Sequence, residues 1–419
     1  MRPKTTKTIY SYLFTLYFLF MLSLNSNAQN ATLSGYMPDH NTLVEISIRD
    51  GLIDRITTID PGQKNEKKIY VAPGLIDTQV NGYASVSFNR EGLSPEKIEG
   101  LTRAMWREGV TAFFPTIITN SSELITENLK ILSLALNDNP RLSNSIPGYF
   151  LEGPYISPFD GFRGAHAKEW VRLPDWEEFS GFYEAAEGKI IQVGVAPEVD
   201  GAMEFIKKCR DLGIGISLAH HNATADQVEE AVNLGARVST HLGNGCANTI
   251  HRHDNPIWPQ LSNDLLTPSI IADGHHLRKE ELRVFFKVKG PENLMLVSDA
   301  TELAGMPAGT YNWNGKEVVM TEDGMLKYPA QNVLAGASFP VRTGVRNMMG
   351  MAGCSLEESL MMATSTPAKV YNLEDRGILK EGLRADLILF TIEDGEIIIQ
   401  QTILGGEVVY QRNQEILNR

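Results

Sequence analysis

Short apolar runs alternate with amphipathic stretches through the middle of the chain. The runs are LIDTQVN (75–81), GVTAFFPTI (109–117), IPGYFLEG (146–153), IIQVGVAPE (190–198), IGISLAH (214–220), ARVSTH (236–241), TPSIIADG (267–274) and LMLVSDA (294–300), eight in all. Helical patterns lie between most of them, among them SPEKIEGLTRAMWREG (94–109) and TADQVEEAVNLG (224–235), the second opening on a Thr224…Gln227 capping box. Strands buried on both faces read as continuous apolar runs, and eight strand–helix alternations predict an α/β fold of the (β/α)8 TIM-barrel kind. A doubly wound open sheet is the alternative, and no GxGxxG phosphate loop supports it.

The two ends carry a different period. LVEISIRDGLIDRITTI (43–59) and ADLILFTIEDGEIIIQQTILGGEVVYQR (385–412) alternate apolar and polar residues around Asp50-Gly51, Asp394-Gly395 and Gly405-Gly406. These dipeptides are hairpin signals. The pattern predicts a small β-sandwich domain from 29–72 and 380–419, with the barrel occupying 73–379.

Residues 1–28 belong to neither. Arg2, Lys4 and Lys7 precede an apolar stretch from Tyr12 to Leu24, and Ser26-Asn27-Ala28 offers a small-x-small cleavage site before Gln29. These are the parts of a secretory signal peptide. The apolar stretch is shorter than the roughly 20 residues a spanning helix needs. An exported, periplasm-directed chain without a stable membrane anchor after cleavage is expected. Cys209, Cys246 and Cys354 are scattered and odd in number, so no disulfide framework is implied.

Composition narrows the partners. Hydrophobic residues make up 42% and charged residues 21% of the 419, and the net charge is −13 without a basic run in the body of the chain. That excludes nucleic acid as the main partner and leaves small molecules.

Several apolar runs stop at an ionisable residue: Glu152, His220, His241 and Asp299, with His276 two residues past TPSIIADG. In a barrel these positions open onto the C-terminal face, where active sites sit. Eight of the nine histidines fall between His166 and His276. Two His and one Glu at equivalent strand ends form an open metal site for one divalent ion per chain, zinc first, with iron or cobalt also suited. Asp299 is placed to act as acid and base beside a metal-bound water. Asp77 is a weaker candidate. Gln79 and Asn81 share one face of the first barrel strand, where neutral amides make poor transition-metal ligands.

The motifs PGLIDTQVNG (73–82), LEGP (151–154), RGAH (163–166), APE (196–198), HHNAT (220–224), THLGN (240–244), IADGHH (271–276), SDAT (298–301) and LAGAS (334–338) together resemble the N-acetylglucosamine-6-phosphate deacetylase family of the amidohydrolase superfamily. The resemblance covers roughly 70 to 390, in the family's order. It implies metal-dependent hydrolysis of the acetamide of an N-acetylated amino sugar, and a homo-oligomer such as a dimer. It implies Glu152, His220 and His241 as metal ligands and Asp299 as the catalytic acid/base. It further implies His166 on the acetamide carbonyl, His276 on the sugar, and Asn244, the Gly245 backbone and Arg252 on the sugar phosphate. Gln79 and Asn81 stand where the superfamily commonly has His-x-His, which marks them as vestigial positions of a first metal site.

Departures are visible too. The family's GHSNAT is AHHNAT here (219–224), and CANTIHRHDNPIW (246–258) is this chain's own. His221, His251, His253 and His275 match no family role and read as packing or solvated loop residues. A signal peptide conflicts with a phosphorylated cytoplasmic substrate, so phosphorylation of the substrate stays open. The alternatives are an exported amidohydrolase for N-acyl amino acids or cyclic amides, and a binding protein that keeps the fold without turnover.

Overall fold

The computed structural model describes residues 31–39, 42–60, 68–313, 316–329, 333–334 and 336–412. Residues 1–28, where the sequence predicts a signal peptide, lie outside the described residues. No helix among the described residues is long and apolar enough to cross a membrane.

Both chain ends enter one sheet. Strands β1 (Ala31–Tyr36), β2 (Leu43–Arg49), β3 (Leu52–Thr58) and β4 (Tyr70–Pro73) come from the N-terminal side. Between β2 and β3, Asp50 and Gly51 have φ of 53° and 79°, the two left-handed residues of a type I′ turn. Alternation then sends Val44, Ile46 and Ile48 to one buried face.

The barrel follows. Its strands are β5 (Leu75–Val80), β8 (Val110–Ile118), β9 (Tyr149–Glu152), β10 (Ile190–Val195), β11 (Gly215–Leu218), β12 (Ala236–Ser239), β13 (Thr267–Ile270) and β14 (Met295–Leu296), hydrogen-bonded in that order. Each of the eight predicted runs meets one of them, with β8 ending one residue past its run. A short hairpin, β6 (Gly82–Tyr83) and β7 (Val86–Ser87), interrupts after β5. Every residue of β5 is buried, as a strand covered on both faces requires. The ring closes where the first strand meets the last: Ser298 N donates to Asp77 Oδ1 at 3.0 Å, Asp299 N to Gln79 O at 3.0 Å, and Val80 bridges Ala300.

Helices return the chain between strands. Ser94 accepts from Lys97 N and Pro95 opens the helix Pro95–Arg107, whose Ile98, Leu101 and Met105 are buried against the barrel core. The predicted capping box forms: Thr224 Oγ1 accepts from Gln227 N at 3.3 Å while Gln227 Oε1 accepts from Thr224 N at 2.9 Å.

The boundaries predicted from sequence leave one element unforeseen. A four-stranded antiparallel sheet, β15 (Gly309–Trp313), β16 (Lys316–Met320), β17 (Leu326–Tyr328) and β18 (Val333–Leu334), sits between β14 and the last helices. It buries Val318, Met320 and Leu326 on Leu303.

The C-terminal strands β19 (Leu387–Glu393), β20 (Glu396–Leu404) and β21 (Glu407–Gln411) complete the seven-stranded sheet in the order β21-β20-β19-β4-β1-β2-β3. Asp394-Gly395 and Gly405-Gly406 turn with positive φ at both residues, as their composition predicts. The sheet curls back on its own apolar centre: Ile53 N donates to Leu383 O at 2.8 Å, and Ile48 and Ile53 share a cluster with Ala385, Leu387 and Ile403. On the other face Phe390, Ile397 and Ile399 join the barrel core, which ties the two units together.

Candidate active site

The strand ends bring Glu152, His220 and His241 together. Glu152 Oε1 lies 3.0 Å from His241 Nε2 and 3.3 Å from His220 Nε2, and the two Nε2 atoms are 3.2 Å apart. All three residues are buried. Donor atoms about 2.0 Å from a tetrahedral ion lie about 3.3 Å from each other, so this triangle has the edges of a zinc-type site. The donor chemistry agrees. His220 Nδ1 donates to Phe162 O at 3.0 Å, which puts the proton on Nδ1 and leaves the Nε2 lone pair free for a cation. Among the described residues this is the one group of three or more His, Cys, Asp or Glu placed to hold a metal.

Burial pushes the Glu152 carboxyl up, but the adjoining His220 and His241 imidazoles outweigh it and hold the group well below the ordinary range. Conversely, burial disfavours charge on His241 and the Glu152 carboxylate overrides it, raising the imidazole. Nδ1 of His241 finds no hydrogen-bond partner in the protein.

Asp299 completes the group from the closing strand. Its Oδ1 accepts from Gln79 Nε2 at 3.1 Å and from Asn81 Nδ2 at 2.6 Å. Gln79 Nε2 also donates to Glu152 Oε2 at 3.2 Å. The amides of Gln79 and Asn81 are therefore hydrogen-bond donors to the carboxylates. Burial, with the nearby Glu152 charge, lifts Asp299 to about 6, against the pull of His241 and Asn81. Asp77, one alternation deeper on the same strand face, is raised to about 7 by burial, and its Oδ2 has no partner.

Backbone strain concentrates here. His220, His241 and Asp299 have φ of 48°, 31° and 50°, a region that L-residues avoid. Neighbours hold each one: Ser157 N donates to His220 O at 3.0 Å, Ser269 Oγ accepts from His241 N at 2.8 Å, and Gln79 O accepts from Asp299 N. Gly245, at φ +60°, packs on both rings; a Cβ there would meet His241 Cε1 at 2.9 Å and His220 Nδ1 at 3.0 Å.

The remaining predicted residues divide. His166 is buried beside His220, ring centroids 4.3 Å apart, with Nδ1 2.7 Å from Thr119 Oγ1. Burial and then the His220 charge push it down to about 3, so it is neutral. His276 Nδ1 donates to Asp273 Oδ2 at 2.7 Å. Asn244 lies in the loop after His241, its backbone N donating to His241 O at 2.8 Å and its Nδ2 without a partner. Arg252 is exposed on the following loop, where only its carbonyl is engaged, by Trp258 Nε1 at 3.0 Å; the structure does not bring its guanidinium into the group.

Of the four unassigned histidines, His251 and His253 are exposed with rings 6.0 Å apart, and His275 stacks on Phe339. His221 is instead buried, and burial, opposed by Gln260, pushes it down to about 4. Sequence reasoning missed Thr119, Asp273 and Ser269. Only Asp273 left a signal, as the residue three before His276 in IADGHH.

An eight-stranded parallel barrel with a His₂Glu triangle and an amide-held carboxylate at its C-terminal face defines a metal-dependent hydrolase. A family model described as "Amidohydrolase family" matches residues 70–409. The N-acetylgalactosamine-6-phosphate deacetylase of Escherichia coli O157:H7 is 30% identical over 90% of this chain and 96% of its own. The N-acetylglucosamine-6-phosphate deacetylase of Bos taurus is 32% identical over 81% and 83% of the two chains. The crystal structure of the N-acetylglucosamine-6-phosphate deacetylase from Pasteurella multocida superposes with a TM-score of 0.79 at 27% identity, covering 90% of this chain and 99% of that one. The chain belongs to the amidohydrolase family, in its N-acetylglucosamine-6-phosphate deacetylase branch.

Proposed function

We propose that the protein hydrolyses the acetamide of an N-acetylated amino sugar 6-phosphate, releasing acetate and the free amine. The observation that carries this is the Glu152–His220–His241 triangle beside Asp299, whose Oδ1 is gripped by Gln79 and Asn81. Its support in the comparisons is that the relatives named above are deacetylases of N-acetylglucosamine or N-acetylgalactosamine 6-phosphate.

Glu152, His220 and His241 would hold a divalent ion, which would supply Lewis acidity and activate water near neutral pH. Asp299 takes the proton of the attacking water at a carboxylate oxygen and returns it to the departing amine. Its position near pH 6 suits both directions. Neutral His166, its Nδ1 2.7 Å from Thr119 Oγ1, donates from Nε2 to the acetamide oxygen, where negative charge develops, in the tautomer that takes the Thr119 hydroxyl proton at Nδ1. His276, its ring fixed by Asp273, contacts the sugar. Asn244 and the Gly245 backbone hold the phosphoryl group, with Arg252 on its outer side.

The ion we propose is zinc, supported by imidazole and carboxylate donors with tetrahedral edges. We further propose export to the periplasm, supported by the N-terminal charge and hydropathy pattern, and a homodimer, supported by the family resemblance. Cell fractionation and light scattering test these two.

The decisive experiment measures acetate release from N-acetylglucosamine and N-acetylgalactosamine, each with and without 6-phosphate, with metal content determined on the same sample. Release from a 6-phosphate with metal bound is expected. A metal-loaded protein that releases no acetate from any of the four overturns the assignment.

A further inference from the structure

The inserted β15–β18 sheet meets the barrel at two places that flank the candidate site. At one, the segment leaving β18 runs beside the closing strand: Ala337 bridges Ala300, and Thr301 N donates to Ala337 O at 3.0 Å, directly after Asp299. At the other, the turn between β16 and β17 rests on the loop that carries His276. His275, which the family resemblance leaves without a role, makes that second contact.

The turn is braced from within. Thr321 N donates to Met325 O at 3.0 Å, Gly324 N to Thr321 O at 2.9 Å and Met325 N to Thr321 Oγ1 at 2.9 Å. It presents the Asp323 carbonyl to His275 Nε2 at 3.2 Å, and a carbonyl only accepts, so this nitrogen carries the ring proton. The His275 ring lies on Phe339, with centroids 5.7 Å apart and 20° between the planes. Phe339 in turn packs flush on Gly324, where an added Cβ would clash with its ring, and the Ser338 hydroxyl donates to Gly324 O.

On its backbone side His275 shares an anchor with His276. Asp273 Oδ1 accepts from His275 N at 2.8 Å and from His276 N at 2.9 Å, while Asp273 Oδ2 accepts from His276 Nδ1 at 2.7 Å. One buried carboxylate thus fixes two adjacent histidines. The first holds the inserted turn, and the second lies near enough to Asp299 to bear on its charge.

We propose that His275 is a positioning residue: by docking the 321–325 turn it holds the Asp273–His276 pair in place for the sugar. This rests on the reading of His276 as a sugar contact in a deacetylase, and adds that the inserted sheet supports the substrate wall. A contact fixed before binding has less freedom to lose when substrate arrives. His276 meets the sugar and not the acetamide, so loosening it weakens ground state and transition state alike.

The test compares metal-loaded wild type, His275→Ala and His275→Gln on N-acetylglucosamine 6-phosphate or N-acetylgalactosamine 6-phosphate, whichever wild type turns over. KM rises about ten-fold in His275→Ala with kcat within about two-fold, and His275→Gln, which keeps an N–H donor for Asp323 O, recovers part of the loss. Unchanged KM, or a loss carried mainly by kcat, overturns the proposal. Amide hydrogen exchange reads the same point without turnover: the His275 and His276 amides exchange about ten-fold faster in His275→Ala, and the strand ends at His220 and His241 do not. Equal protection in the two proteins, or a rise spread over the whole barrel, also overturns it. Should wild type release no acetate, the deacetylase reading fails while exchange still judges His275.

Discussion

Asn81 Nδ2 reaches Asp299 Oδ1 at 2.6 Å across the seam where β5 meets the end of β14. The donor favours the ionised carboxylate, and burial opposes it. Removing the donor in Asn81→Ala raises the Asp299 pKa, by roughly one unit for a bond of about 1.5 kcal/mol to a charged group. A base must be deprotonated to act, so the acid limb of the kcat/KM–pH profile moves to higher pH in this variant. An unmoved limb would remove Asn81 from the control of Asp299.

Asp299→Asn keeps the shape and loses the proton acceptor. The expected result is a fall in kcat of about 10²- to 10⁴-fold with metal content unchanged, because Asp299 is outside the triangle of donors. Near wild-type turnover with metal bound would refute its role.

Metal analysis should give one ion per chain. Gln79 and Asn81 spend their N–H groups on Glu152 and Asp299, and neutral amides are poor ligands for a second ion. Chelation abolishes acetate release and zinc restores it, whereas Glu152→Gln lowers metal occupancy itself. Two ions at full occupancy contradict this account.

Gly245→Ala tests the packing around the imidazoles. A Cβ at 2.9 Å from His241 Cε1, on a backbone at φ +60°, forces one or both rings aside. Metal affinity should drop by about 10- to 100-fold, the range seen when the support of metal ligands is disturbed. Wild-type affinity would show that the loop moves instead of the rings.

Asp77 predicts a pH-dependent stability. Its folded-state pKa of about 7 lies above the ordinary 3.8, so the folded protein retains a proton that the unfolded chain has released. Its stabilising share is complete below about pH 4 and is lost as pH rises through about 7, at about 1.4 kcal/mol per pKa unit. Asp77→Asn, which keeps the Oδ1 acceptor for Ser298 N, should show a flatter dependence of Tm between pH 5 and 8. Parallel wild-type and variant curves would exclude Asp77 as the source.

Much of this architecture is readable from sequence because its signals are local. Asp50-Gly51 and Asp394-Gly395 specify turns with left-handed φ, and the Thr224…Gln227 box spans three residues. Glu152, His220, His241 and Asp299 stand out because each ends an apolar run, and barrel closure makes such positions neighbours. What stays hidden is pairing at a distance. Thr119 supports His166 from 47 positions away, and Gln79 joins Glu152 and Asp299 over 73 and 220. No periodicity encodes such contacts. The β15–β18 sheet is hidden for a similar reason, since strands of two to five residues inside a helix–strand rhythm look like loop.

The seam between β5 and β14 has a consequence for when the molecule is an enzyme at all. Asp299 and its two amide partners come from opposite ends of the barrel sequence, so a nascent chain has no working site until synthesis passes residue 300 and the ring shuts. The same applies in reverse on heating. Parting of this one edge separates acid from amides while most helices are still in place, so turnover should vanish at a lower temperature than the helical circular dichroism signal.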